Sequence, residues 1–288
     1  MVNYMDGNYS MKITSIKITC SPRMGLVVAA AIFLHLNATA TEVDLGTANN
    51  FAVLAGSTIT AANPTIINGG DVGLSPGSSI TGPITIPPPY TTHVTDGVAL
   101  QAQIDLTTAY NVAAGLARTA TLTGVDLGRQ TLTPGVYFFA TSAQLTGQLT
   151  LNNLGNPDAV FVFQIGSTLT TASGSSVVTI NDGPASGSHP GISVYWQVGS
   201  SATLGTGTDF EGNILALTSI TATTGADVEG RLLARNGAVT LDGNTISAPP
   251  AEVQPGAGGV PDSGSTLLLL GSGLATLFAF GRRFFSPA

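Results

Sequence analysis

Four acidic residues recur at one spacing in the C-terminal half of the chain. They form two pairs 18 residues apart, Asp209 with Glu211 and Asp227 with Glu229. Stacked on neighbouring strands, such carboxylates could bind Ca²⁺ or act as the acid and base of a polysaccharide enzyme. A solvated strand face, partly offset by Arg231, explains the same residues, with Phe210 and Val228 pointing inward between them. We favour this second explanation and expect no metal site.

Other chemistry has weaker support. Neither His93 nor His189 has an Asp, Ser or metal-spaced partner nearby in the sequence, and both lie beside predicted turns. The only cysteine, Cys20, precedes an apolar segment that we expect to be removed, so we expect no disulfide and no thiol chemistry. The sequence contains no nucleophile motif and no phosphate-binding loop. We therefore expect no catalytic residue, no cofactor and no enzyme activity.

Hydroxyl side chains form a second regular pattern in four similar segments. Alternate residues of a strand point to opposite faces of the sheet. One set is mostly apolar and is expected to point inward: Ile59, Leu169, Ala202 and Ile220, then Ala61, Thr171, Leu204 and Ala222. The other set is uncharged and forms three outward columns: Thr58, Thr168, Ser201 and Ser219; Thr60, Thr170, Thr203 and Thr221; Ala62, Ala172, Gly205 and Thr223.

The spacing of these columns suggests a function for the face. Stacked strands repeat about every 4.8 Å, and alternate residues repeat about every 6.6 Å along a strand. Both distances are close to oxygen repeats in ice, and a flat, uncharged array of hydroxyl and methyl groups can order a thin layer of water. Ser and Thr are also ordinary residues of exposed strands. The columns by themselves therefore leave ice binding and a plain solvent face open.

An 18-residue repeat supplies the strands that carry both patterns. Its three copies begin at equivalent segments: 192–198, 210–216 and 228–234. Gly207, Gly225 and Gly243 fall at one phase of the repeat. A period this short, with alternating apolar residues and glycine-bounded turns, predicts a β-solenoid in which each coil buries its apolar edge on the next.

Earlier segments carry the same coil. Residues 164–167 match 197–200 at an offset of 33, which is one coil plus a 15-residue excursion. Residues 56–60 match 166–170, so the coil recurs at both ends of the domain. Two further strands are predicted, at 135–139 and 145–151.

One segment, residues 95–117, breaks the strand pattern. Its apolar residues follow the spacing of a helix: Ala99, Ala102, Leu106, Ala109, Ala113 and Leu116. Thr95 or Asp96 is the candidate N-cap. A single helix with one apolar face must bury that face, and the open side of the solenoid is the available partner.

Charge is sparse and acidic. Charged residues make up 9% of the chain, and residues 41–259 hold four Arg, no Lys and 14 Asp or Glu, a net charge of −10. This balance argues against nucleic acid and against an anionic membrane as partners. With no disulfide expected, stability must come from the stacking of coils.

The N-terminal residues 1–40 have the features of a signal peptide with a short extension before it. Lys12, Lys17 and Arg23 come before an apolar run at 24–36, and Ala38, Thr39 and Ala40 supply small residues for cleavage. After the solenoid, residues 249–259 are rich in Pro, Gly and Ala, which predicts a linker.

The last segment, residues 260–288, combines a short motif, an apolar run and a basic pair. The motif is Val260, Pro261, Asp262, Ser263 and Gly264. The apolar run at 267–280 is shorter than the roughly 20 residues that span a bilayer comfortably, and Arg282 and Arg283 follow it. This order resembles the VPDSG variant of PEP-CTERM sorting signals. The resemblance implies export in a Gram-negative bacterium and processing by an exosortase, with membrane contact only through this segment before processing. A plain C-terminal anchor is the alternative.

Segments throughout residues 43–246 resemble the DUF3494 ice-binding protein family: 45–56, 68–73, 160–164, 196–200 and 233–240. The resemblance implies a right-handed, discontinuous β-helix of roughly triangular section, with a long helix alongside and an antifreeze function. Some members carry a Thr-Ala/Gly-x-Thr/Asn motif on the ice face. Residues 60–63 and 221–224 match it, 170–173 and 203–206 match loosely, and 239–242 departs. The motif adds Asn63, Ser173, Thr206 and Thr224 as possible edge residues, although a spacing of three exposes them only if the strand bends.

These observations predict an exported, mainly β protein whose domain at 41–248 is an ice-binding-like β-solenoid. We expect a monomer at the outer cell surface or released from it, which adsorbs to ice or ordered water through the Ser/Thr face and slows ice growth and recrystallisation. Two alternatives remain: an extracellular adhesive or structural domain on the same scaffold, and a polysaccharide-active β-helix enzyme.

Overall fold

The computed structural model describes residues 42–182 and 193–249. All described residues belong to one compact unit. The predicted signal peptide, most of the excursion before the coil at 197, most of the linker and the sorting signal lie outside the described residues.

Within these ranges the chain forms a 3₁₀ turn (Gly46–Asn50), one α-helix, α1 (Gly97–Gly115), and 24 short strands. The strands are, in chain order, β1 (Phe51–Ala55), β2 (Thr58–Ala61), β3 (Thr65–Asn68), β4 (Asp71–Leu74), β5 (Ser79–Thr81), β6 (Ile84–Thr85), β7 (Thr92–Val94), β8 (Ala120–Thr121), β9 (Thr131–Leu132), β10 (Gly135–Phe139), β11 (Ala143–Leu145), β12 (Gln148–Asn152), β13 (Phe161–Ile165), β14 (Leu169–Thr171), β15 (Ser176–Ile180), β16 (Val194–Val198), β17 (Ala202–Leu204), β18 (Asp209–Glu211), β19 (Asn213–Ala216), β20 (Ile220–Ala222), β21 (Asp227–Glu229), β22 (Leu232–Ala234), β23 (Val239–Leu241) and β24 (Thr245–Ser247).

Parallel pairing arranges the strands in three sheets around one apolar core. Sheet A has the order β7, β4, β1, β22, β19, β16, β13, β10, β8. Sheet B has the order β11, β14, β17, β20, β23, β2, β5. Sheet C has the order β6, β3, β24, β21, β18, β15, β12, β9. One coil gives one strand to each sheet, as β16, β17 and β18 do. The described residues therefore form the solenoid that the 18-residue period predicts, with the three sides that the family resemblance implies.

The first coils of the chain lie against the last ones. β1 pairs with β22, β2 with β23 and β3 with β24, and these three pairs are here called the seam. The chain builds β1 to β7 at one end of the stack, runs back along sheet A in α1, and then adds coils toward β1 until the seam closes. The strand order thus confirms the discontinuity that the family resemblance implied.

Corners between sheets divide some predicted strands. Residues 145–151, predicted as one strand, contain the end of β11 and most of β12, with Gly147 between them at φ 89°. Gly207, Gly225 and Gly243 lie in the turns from sheet B to sheet C, with φ of 64°, 64° and 65°. Glycine adopts this left-handed region without a steric cost, which explains why it recurs once per coil.

Helix α1 covers the outer face of sheet A. The helix predicted at 95–117 is found at Gly97–Gly115, and the Asp96 side chain caps it by accepting a hydrogen bond from Ala99 N at 2.8 Å. Five of the predicted apolar residues are buried against the sheet: Ala99, Ala102, Leu106, Ala109 and Ala113. Leu116 lies just beyond the helix and is half-buried. The position and the buried face agree with the sequence pattern.

The opposite face of α1 differs from the expectation of a single apolar face. Val98, Leu100, Ile104 and Val112 lie there and are about half exposed. Within the described residues, no helix is long and apolar enough to span a membrane.

Polar contacts fix the C-terminal half of α1 on sheet A. The Gln164 side chain donates hydrogen bonds to the carbonyl oxygens of Ala113 and Leu116, at 2.8 and 2.9 Å, which satisfies the helix C-terminus. Arg235 lies over the Tyr110 ring and donates to the Thr107 hydroxyl at 3.2 Å. Sheet A is consequently covered on both faces, which leaves the outer faces of sheets B and C for function.

Aromatic rings link successive coils inside the solenoid. Trp196 stacks on Phe163 with ring centroids 3.9 Å apart, and Phe163 stacks in turn on Tyr137 at 5.6 Å. Each such pair adds about 1 kcal/mol beyond the burial of its apolar area. This ladder stiffens the coils that carry the outer faces of sheets B and C.

Candidate functional site

The outer face of sheet B carries the predicted hydroxyl columns. All eight residues predicted to point inward are buried, with no more than 3% of their surface exposed. The outward residues are half-buried or exposed. In each of these short strands the side chains alternate strictly, because a one-residue slip would move the apolar set into solvent. The structure thus brings the predicted Ser and Thr residues together on one surface.

A threonine column runs along the middle of this face. Pairing aligns seven residues in successive coils: Gln144, Thr170, Thr203, Thr221, Thr240, Thr60 and Thr81. Six consecutive members are therefore threonine. The Thr81 hydroxyl donates to the Thr60 hydroxyl at 3.4 Å, and within the described residues no partner hydrogen-bonds the hydroxyls of the other four threonines, Thr170, Thr203, Thr221 and Thr240. Sequence reasoning found four of the six and missed Thr240 and Thr81.

The residues on either side of this column make more contacts within the protein. In the first column, Ser201 Oγ accepts a hydrogen bond from Ser219 N at 3.3 Å, and Ser219 Oγ accepts one from Ala238 N at 3.1 Å. In the third column, the Thr223 hydroxyl donates to the carbonyl oxygen of Leu204 at 2.8 Å. These hydroxyls are held in fixed orientations, whereas the middle column offers four of its six threonine hydroxyls to the solvent.

An edge row borders the face where the strands of sheet B end. Asn63, Ser173, Thr206 and Thr224 are all exposed. The expected conflict with alternation does not arise, because each of their strands ends two residues earlier and the chain has begun to turn.

A charged residue, Asp242, also belongs to this edge row. Gly174 N donates to Thr206 O, Gly207 N to Thr224 O and Gly225 N to Asp242 O, so the three acceptors occupy equivalent places in successive coils. The Asp242 carboxylate accepts hydrogen bonds from the Thr224 hydroxyl and the Asn63 amide, which hold the pKa of its carboxyl below the ordinary value. The segment 239–242 departed from the family motif in the sequence, and the structure brings a charge to the rim of a face predicted to have none.

The acidic residues lie on the outer face of sheet C, in the predicted register. Asp209 pairs with Asp227 and Glu211 with Glu229, beside an open groove of about 320 Å³. Glu211 differs from the expected solvated face because it is 7% exposed. Burial, and then the charge of Glu229, raise the pKa of Glu211 to about 7.

Arg231 does not offset these carboxylates as expected. Its guanidinium is buried, and it donates hydrogen bonds to Asn49 O, Asn213 Oδ1 and Pro249 O at 3.1, 3.1 and 2.8 Å. It therefore ties the start of the domain to its end. In the part of the chain that the structure describes, no three His, Cys, Asp or Glu side chains are grouped to hold a metal.

His93 has partners that the sequence reasoning overlooked. Its Nδ1 lies 2.8 Å from Asp96 Oδ2, and its Nε2 lies 3.3 Å from the Thr91 hydroxyl and 3.7 Å from Asp71 Oδ2. Asp96 is only three residues away and was considered solely as a helix cap. The cluster joins the start of α1 to β4, and its Phe51 ring contact is part of that packing. His189 lies outside the described residues.

Comparisons with known proteins agree with this geometry. Residues 53–247 match the model of the family described as ice-binding-like, and residues 259–284 match the VPDSG-CTERM motif. An ice-binding protein of Nostoc sp. (strain HG1) is 53% identical over 246 residues, which cover 83% of this chain and 87% of that protein. An ice-binding protein of Colwellia sp. is 34% identical over 230 residues, covering 72% and 84%.

Solved structures of ice-binding proteins have the same fold. One from an Antarctic biological consortium superposes with a TM-score of 0.68 at 47% identity, covering 73% of this chain and 93% of that one. Another, from the Antarctic ascomycete Antarctomyces psychrotrophicus, has a TM-score of 0.66 at 40% identity, covering 73% and 99%. The family match, the identities and the shared three-sided solenoid together mean that this chain belongs to the ice-binding-like family.

Proposed function

We propose that the protein binds ice through the outer face of sheet B and thereby slows ice growth and recrystallisation. One observation carries this proposal: six consecutive coils present a threonine in register, and four of these hydroxyls have no hydrogen-bond partner among the described residues. The similar proteins from Nostoc and Colwellia are named ice-binding proteins, which supports the same function here.

The geometry suits adsorption to a lattice. Coils repeat about every 4.8 Å and outward columns about every 6.6 Å, so the hydroxyls and methyls form a regular two-dimensional array. The middle column carries no charge that would hold tightly bound water in positions foreign to ice. The array is also rigid, because the apolar residues behind it are fully buried and close-packed. Ordered water can settle on such a surface without the protein first losing conformational freedom.

The binding residues that we propose are the first column (Thr58, Thr168, Ser201, Ser219), the middle column (Thr60, Thr170, Thr203, Thr221, extended by Thr240 and Thr81) and Thr223. Asn63, Ser173, Thr206 and Thr224 form its edge. We propose that the protein acts as a monomer, and the function requires no cofactor and no covalent chemistry.

Thermal hysteresis and recrystallisation inhibition of the purified protein test the proposal. Thr203→Tyr and Thr221→Tyr each place a bulky ring in the middle column, and we expect a loss of activity on the order of tenfold because a misplaced contact surface cannot match the lattice. Thr245→Tyr is the matched control, since Thr245 is an exposed strand threonine on sheet C. An inactive parent protein would rule out ice binding, and equal activity in all variants would rule out this face.

We also propose that the protein is exported and processed at both ends. Residues 1–40 would act as the signal peptide, and the motif Val260–Gly264 would direct an exosortase of a Gram-negative cell to release or retain residues 41–259 at the outer surface. The VPDSG-CTERM match supports the C-terminal half of this proposal. Mass spectrometry of the exported protein measures both ends, and an intact mass that still includes residues 265–288 would contradict the processing step.

A further inference from the structure

The coil that contains β23 is irregular where it turns from sheet B to sheet C. In the preceding coil, Ala222 and Thr223 separate Thr221 from the edge residue Thr224, whereas Leu241 alone separates Thr240 from Asp242. This coil has no residue in the third column. Its shortened turn brings Asp242 into the edge row between the longer turns that contain Thr224 and Asn63.

The same coil is the last one before the seam. β23 pairs with β20 on one side and with β2 on the other. Thr224 and Asn63 therefore belong to parts of the chain far apart in sequence, and the row that they form exists only after the seam has closed. A side chain between them is in a position to fix their mutual arrangement.

Asp242 contacts both of these neighbours. One carboxylate oxygen accepts from the Asn63 amide and the other accepts from the Thr224 hydroxyl. Hydrogen bonds to an ionised acceptor are short and directional, so they restrict both donors. Because the Thr224 hydroxyl donates its hydrogen to Asp242, it can only accept a hydrogen bond from a water molecule. The side-chain amide oxygen of Asn63 points away from the carboxylate and can also accept from water. The rim then presents acceptors in fixed places.

We propose that Asp242 is a positioning residue for ice recognition, which orients Thr224 and Asn63 across the seam so that the face continues without a break from the last coil to the first. This inference rests on the proposed ice-binding function. It also explains why the segment 239–242 departs from the motif that its neighbours carry, because Asp242 supplies the acceptor for both of them.

The test compares Asp242→Ala with Asp227→Ala. Asp227 is a suitable control because its carboxylate also reaches the next coil, where it accepts from Thr245 N at 2.7 Å, but it does so on sheet C. We expect thermal hysteresis to fall about threefold in Asp242→Ala and to stay at the parent value in Asp227→Ala. Asp242→Asn keeps one acceptor oxygen and should lie between Asp242→Ala and the parent, and it decides the question if Asp242→Ala does not fold.

A double-mutant cycle separates positioning from general stabilisation. Thr224→Val should lower activity in the parent but add little in the Asp242→Ala background, because the two residues act through one contact. The proposal would be overturned if Thr224→Val lowered activity by the same factor in the parent and in Asp242→Ala. It would also be overturned if Asp242→Ala kept the activity of the parent. If the parent is active and Thr221→Tyr abolishes activity while Asp242→Ala does not lower it, the positioning role alone fails. A parent without activity would instead refute the proposed function.

Discussion

Sheets B and C are built from the same coils, yet the same stacking rule has opposite consequences on their outer faces. On sheet B, Thr203 pairs with Thr221, and neutral hydroxyls repeat at no electrostatic cost. On sheet C, Glu211 pairs with Glu229, and burial, together with the neighbouring charge, raises the pKa of Glu211 to about 7. In-register parallel pairing places the same kind of side chain at the same position of each successive coil. Neutral side chains then form a regular surface, whereas charged side chains of like sign repel one another.

Moving the charge pair from sheet C to sheet B gives the largest expected effect. In Thr203→Asp with Thr221→Asp, two stacked carboxylates would hold tightly bound water in the middle column, and we expect thermal hysteresis at pH 7 to fall on the order of tenfold or more. The free energy of unfolding should also fall by about 1 kcal/mol through like-charge repulsion.

The matched control places the same pair on sheet C, as Thr150→Asp with Val178→Asp, at positions that also pair in register. It should lose comparable stability and keep its ice activity. Retained activity in the sheet B variant would show that this face does not contact ice.

Removing the charge from sheet C should change stability without changing ice activity. The folded protein holds the Glu211 proton more tightly than the unfolded chain, whose carboxyl has a pKa near 4.5. The tighter binding of this proton stabilises the folded state, and that stabilisation is fully present below about pH 4.5 and is lost as the pH rises through about 7. Ionisation then costs up to roughly 3 kcal/mol. Glu211→Gln should therefore unfold at a higher temperature than the parent at pH 8 and at nearly the same temperature at pH 4.5.

Calorimetry across this pH range measures the difference, and Asp209→Asn serves as the control because Asp209 is an exposed carboxylate of the same strand. A constant difference between Glu211→Gln and the parent at every pH would mean that the substitution acts through packing and not through the proton.

Local periodicity explains which features the sequence revealed. Strand alternation and the 18-residue spacing are properties of neighbouring residues, so the inward set, the Thr203 to Thr221 step and the helix at Gly97–Gly115 could all be predicted. Thr240 was missed because it follows Thr221 by 19 residues, one more than the repeat. Thr81 was missed because it follows Thr60 by 21.

Long-range contacts account for what the sequence did not reveal. Pairing between β2 and β23 joins segments about 180 residues apart, and no local pattern specifies which coils meet at the seam. The contacts of Asp242 and Arg231 follow from that closure. The burial of Glu211 likewise depends on the neighbouring coils. For these residues the type and spacing were visible in the sequence, but the partners were set by the tertiary fold.

The smallest effect is expected from completing the first column of sheet B. Ala238 lies between Ser219 and Thr58 and interrupts an otherwise hydroxyl-bearing row at the seam. Ala238→Ser adds one oxygen at the spacing of its neighbours, and Thr58→Ala widens the same gap. We expect thermal hysteresis to rise by less than about twofold in the first variant and to fall by a similar factor in the second, because each changes one contact in a large array. Both should unfold within about 0.5 kcal/mol of the parent, as surface substitutions usually do. If Ala238→Ser lowers activity, the hydroxyls of the first column are not part of the ice contact.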